Sequence, residues 1–131
     1  MSRLMSVAMT TDAVIERRKT VTRRKGWWID KNGRRLLKPG DTLTLCRKVQ
    51  GRKPGEPIER LAEVEVVSVE REHLSNVTHF PDYGVVEMER EGFPGMDPAW
   101  FIHDYFVEAQ GFDPDDLVTR IEWRYLDGET R

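Results

Sequence analysis

Apolar and polar residues alternate most clearly over Leu61-Ala62-Glu63-Val64-Glu65-Val66-Val67-Ser68-Val69, which predicts a strand with one face in a core. A second such run closes the chain from Leu117 to Leu126, with Val118, Ile121, Trp123 and Tyr125 as core candidates. Shorter extended segments are expected at Ser2 to Met9, with Val7 and Met9 pointing inward, at β-branched Thr20-Val21-Thr22, and at Thr42 to Lys48. Helical signals separate them. Thr10-Thr11-Asp12 offers caps for a short helix from Ala13 to Arg17. Gly84 to Glu91 reads as a second helix, ended by Gly92-Phe93-Pro94-Gly95. Asp97-Pro98 opens a third, in which Ile102, Tyr105, Phe106 and Ala109 recur at spacings of three and four.

Between these elements, Lys25 to Lys38 reads as a hairpin-like loop holding Trp27-Trp28 and Asn32-Gly33. Pro39-Gly40-Asp41 is a turn, Gln50 to Pro57 a flexible loop, and Pro81-Asp82-Tyr83 the end of a loop before the second helix. The order β-α-β-β-β-α-α-β predicts an α+β fold, a small β-barrel with flanking helices in one domain over residues 1–131. Helices do not alternate regularly with strands, so a doubly wound parallel sheet is disfavoured.

Composition adds limits. A chain of 131 residues can bury a core without disulfides or metal. Its single cysteine, Cys46, lies in a predicted strand and reads as a buried, inert thiol. His73, His79 and His103 are scattered, and no Cys/His spacing resembles a zinc site, so neither metal nor cofactor is expected. No apolar run approaches the roughly 18 residues needed to cross a bilayer, and no secretory leader is apparent. A cytoplasmic protein with no membrane partner is the expectation.

Charge changes the picture more. Residues 1–60 carry 16 Lys/Arg against 6 Asp/Glu, whereas residues 61–131 carry 5 against 17. Arg17, Arg18, Lys19, Arg23 and Arg24 crowd the first half around Thr20 and Thr22. Like charges so close repel, so an anionic ligand such as RNA or a nucleotide is one explanation. The plainer one is that the two halves fold face to face and neutralise each other. A net charge of −2 argues against a generic DNA-coating protein and for a local groove.

The succession Arg18-Lys19-Thr20-Val21-Thr22-Arg23-Arg24, Lys38-Pro39-Gly40-Asp41, Val64 to Val69, Glu91-Gly92-Phe93 and Ile121 to Leu126 resembles the ASCH family across nearly the whole chain. That resemblance implies a PUA-like β-barrel with a ligand cleft beside it and an RNA-binding or RNA-modifying role. Some members are small, metal-independent amidohydrolases that deacylate N4-acetylcytidine and related nucleosides through a Lys, a Thr and a Glu. Others have been linked to ribonuclease activity. Carried over by motif, the three residues fall on Lys19, Thr22 and Glu91. Two departures stand out: Arg17 replaces a small residue, and the Trp27 to Arg35 insertion is long.

The chemistry has clear requirements. A threonine hydroxyl needs a base, and Lys19 serves as one only if burial and neighbouring arginines depress its pKa. Glu91 would orient the lysine or protonate the leaving amine. Residues three apart on a strand face opposite ways, so Lys19 and Thr22 converge only if the chain bends between them. The alternative is a binding module, with Arg17, Arg18, Arg23, Arg24 and Lys25 on phosphates and Trp27, Trp28 or Tyr83 stacking a base. Each residue also has a bland role: Lys19 as a phosphate contact, Thr22 as a β-former, Glu91 as an ion-pair partner, one tryptophan as core.

Overall fold

The computed structural model describes residues 3–108, 111, 113 and 116–127. Within them the chain forms an α+β fold built on one five-stranded sheet. Its strands are β1 (Arg3–Ser6), β2 (Val21–Lys25), β3 (Thr42–Cys46), β4 (Arg60–His73) and β5 (Leu117–Tyr125), in the order β1-β3-β4-β5-β2. The β1–β3 pair is parallel and the other pairs are antiparallel. The sheet curls into a half-barrel. β4 makes this possible by its length and by a register shift between Val66 and Ser68, since a bulge bends and twists the strand that carries it.

Two cores flank the sheet. Met5, Val14, Leu43, Leu45, Val64, Val66, Ile121 and Trp123 belong to the larger one. Leu74, Val77, Met88, Phe101, Ile102, Phe106 and Val118 form the second, beneath the helices that follow β4. Those helices are α2 (Asn76–His79), α3 (Pro81–Glu91) and α4 (Pro98–Trp100), the last running on as wider π-helical turns over Phe101–Glu108. A short α1 (Thr11–Ile15) precedes β2. Asp97 caps α4 by accepting a bond from the Ala99 N–H at 2.9 Å, and Gly92, at φ 99°, closes α3 in the left-handed region.

Several expectations are corrected. Met9 is not inward: β1 ends at Ser6, and a 3₁₀ turn over Ala8–Thr10 leaves Met9 69% exposed while Val7 is buried. β4 runs four residues past Val69 because Glu70 to His73 keep pairing with β5. α3 begins at Pro81, with the proline in its first turn, so Tyr83 is helical and not in a loop. Ala109 and Ser2 lie outside the described residues. Among the described residues no helix is long and apolar enough to cross a membrane.

Candidate functional site

The chain bends sharply between α1 and β2. α1 stops as Arg17 takes φ 62°, and the Arg18 and Lys19 N–H groups both turn back to the Ala13 carbonyl, at 2.7 and 3.2 Å. The Lys19 carbonyl accepts from the Trp123 indole at 3.1 Å and from the Tyr125 hydroxyl, which fixes the residue just before β2 starts. Its ammonium donates to the Glu91 carbonyl at 2.6 Å and pairs with Glu91 Oε1 at 3.2 Å. Lys19 and Glu91 are each 2% exposed. Burial lowers the Lys19 pKa, with Arg24 and Arg23 pushing the same way and Glu91 opposing.

Arg23 reaches the other oxygen of the same carboxylate. Its guanidinium meets Glu91 Oε2 at 2.9 Å, Glu72 Oε1 at 2.8 Å and Glu87 Oε1 at 2.5 Å, and donates to the Tyr83 hydroxyl at 3.1 Å. The Tyr83 hydroxyl in turn donates to Glu72. Arg120 also holds Glu87, donating to both its oxygens at 2.7 and 3.1 Å. Burial disfavours the Glu87 charge, but the Arg120 hydrogen bond and the Arg23 charge outweigh it and bring its pKa down to about 2. Arg23 thus serves the protein's own carboxylates, where the sequence put it against a phosphate. Much of the basic cluster is neutralised by the acidic half of the chain.

A cleft of about 370 Å³ is bounded by Arg3, Ser6, Arg24, Trp28, Val49 and Gln50 among others, and by none of the residues clustered around Glu91 and Arg23. It sits between the two edge strands of the sheet, β1 and β2, where Arg24 Nη2 donates to the Ser6 carbonyl at 2.7 Å. Trp28 is half-buried and borders the cleft; Trp27 is also half-buried, with the Arg35 guanidinium 5.5 Å from its ring centre. Both indoles pack against the larger core, so the expected division into one core and one free tryptophan does not hold.

The remaining candidates scatter. Thr22 is buried on β2, and by strand alternation it shares the face of Arg24, opposite Arg23. Among the described residues its hydroxyl forms no hydrogen bond with Lys19 or Glu91. Arg17 pairs with Asp127 at 2.6 Å and lies over the Tyr125 ring, while Lys25 is exposed at the end of β2. Arg18 pairs with Glu16 and borders a second cavity, of about 430 Å³, near Arg47 and Phe93. Glu72, Glu87 and Arg120 went unnoticed in the sequence. Glu87 is one helical turn before Glu91, a spacing that puts both carboxylates on one face and could have flagged it.

No family model matches the sequence, and no curated protein matches it significantly. Solved structures do. The ASCH domain from Lactobacillus crispatus superposes with a TM-score of 0.52 at 14% identity, over 89% of this chain and 70% of that one. The fold is ASCH-like. A mutant of ZmASCH from Zymomonas mobilis gives 0.51 at 15% identity, over 94% and 67% of the two chains. Protein EF3133 from Enterococcus faecalis, a DUF984 protein, gives 0.65 at 16% identity, over 96% and 80%. At these identities the likeness extends to the ASCH-like architecture.

Proposed function

We propose that this ASCH-like chain binds a nucleotide, free or within single-stranded RNA, in the cleft between β1 and β2. One observation carries the reading: a cleft of nucleoside size places an indole, two arginines and a glutamine amide around one space. An aromatic face accepts any base, and guanidinium groups suit phosphate. Titration with cytidine monophosphate and a short cytidine-rich RNA, followed by tryptophan fluorescence, tests it. Trp28→Ala should weaken binding by about 1–3 kcal/mol. Absence of binding to both ligands at low salt would refute it.

A second reading is favoured by the Lys19–Glu91 contact, which joins two of the three residues that the hydrolase resemblance implies. In it, Lys19, its pKa lowered by burial and its ammonium oriented by Glu91, takes the Thr22 proton as the Thr22 oxygen attacks the acyl carbonyl of an N4-acylated cytidine. The C–N4 bond breaks as that proton passes to the leaving amine, and water then frees the acyl group from Thr22 as the acid. Neither side chain is open to solvent, so substrate entry requires the pair to part. Cytidine release from N4-acetylcytidine that disappears in Thr22→Val supports hydrolysis. Equal release by both proteins, or none, leaves binding alone.

A further inference from the structure

The wall of the cleft contributed by β1 offers main chain as well as side chains. Along an extended strand, successive residues turn their N–H and C=O groups to opposite edges. The Val7 N–H bonds the Cys46 carbonyl at 2.9 Å, which assigns Arg3, Met5 and Val7 to the edge that pairs with β3. Ser6 confirms the alternation, since its carbonyl is turned the other way and accepts from Arg24 at 2.7 Å. The N–H and C=O of Leu4 and the N–H of Ser6 therefore face the cleft. β1 is an edge of the sheet, so among the described residues no strand pairs with them on that side.

We propose that this open edge of main chain reads the base of the bound nucleotide. Within one extended residue the donor and the acceptor lie side by side, as they do on the Watson–Crick edge of a nucleobase. Leu4 N–H can meet cytosine N3 while its carbonyl accepts from the exocyclic amine; uracil reverses the roles. Trp28 then covers the ring face, and Arg3 and Arg24 stand toward the phosphate. A peptide strand fits the same edge less well, because Arg24 already occupies the Ser6 carbonyl and interrupts a ladder after one residue.

The inference rests on the nucleotide reading and can fail separately from it. Main-chain groups cannot be removed by substitution, so the ligand is altered instead. Wild-type protein is titrated with uridine monophosphate and its N3-methyl derivative by calorimetry, with amide resonances followed by 15N NMR. N3-methylation of uracil blocks the edge, leaves the ring uncharged and spares ring face and phosphate. Affinity for the methylated nucleotide should fall by about tenfold or more, and the Leu4 and Ser6 amide signals should shift with the parent nucleotide alone. Equal affinity for parent and methylated forms overturns the inference while leaving the site. No binding of either nucleotide overturns the site itself.

Discussion

Lys19 Nζ and Arg23 Nη1 grip opposite oxygens of the Glu91 carboxylate, at 3.2 and 2.9 Å, although the two residues are four apart at the junction of a loop and a strand. The contact is lopsided. Glu91 has two cationic partners, whereas Lys19 has one carboxylate. Glu91→Gln should therefore cost more stability than Lys19→Met, by about 1–2 kcal/mol, because the first strands the buried Lys19 ammonium and takes one of three carboxylates from Arg23, whereas the second leaves the carboxylate with Arg23. Urea unfolding of both variants and the double variant measures the difference and the coupling.

Arg23 ties β2 to β4 and α3 through Glu72, Glu87 and Glu91. Arg23→Met should destabilise the fold by about 3–5 kcal/mol, since three carboxylates lose a shared buried partner. Arg23→Lys should recover little, because an ammonium cannot span three acceptors in one plane. Chemical denaturation compares the two, and near-equal losses are the expected result.

Acid stability should depend on Glu87. Its folded pKa, about 2, lies below the ordinary value of 4.5, so its contribution is complete above about pH 4.5. As pH falls toward 2 the unfolded chain takes up the proton first and that contribution is lost. Glu87→Gln should flatten the fall in unfolding free energy between pH 4.5 and 2. Denaturation midpoints across that interval, for both proteins, provide the check.

Gly84 offers a test of packing. A Cβ there would stand 1.9 Å from the Val77 carbonyl oxygen, where α3 packs against α2. Alanine is the better helix former by about 1 kcal/mol, yet the overlap cannot be relieved without moving backbone. Gly84→Ala should lower stability by about 1–3 kcal/mol net, visible as a drop in melting temperature.

The same glycine shows what the sequence made legible and what it hid. The strand around Val64 and Val66 and the closing strand through Ile121 and Trp123 were readable because one face of each is buried and the period is local. Asp97-Pro98 and Gly92 were readable because capping is local chemistry. Gly84 looked like a helix boundary, but it is required by the approach of another helix, so α3 was started three residues late. At the site, resemblance paired Lys19 with Glu91. Arg23 was misdirected because its partners lie 49 to 68 residues away, and a charge excess tells that cations need anions without telling whose.

The half-barrel leaves its first and last strands in sheet order, β1 and β2, to be linked by side chains such as Arg24 rather than by a ladder. A molecule lodged between them would act as a rivet. It would bind the folded form and not the unfolded chain, and so raise the melting temperature in proportion to the logarithm of its concentration. The protein is then its own reporter: heating it against a panel of nucleotides ranks them by affinity before any reaction is known.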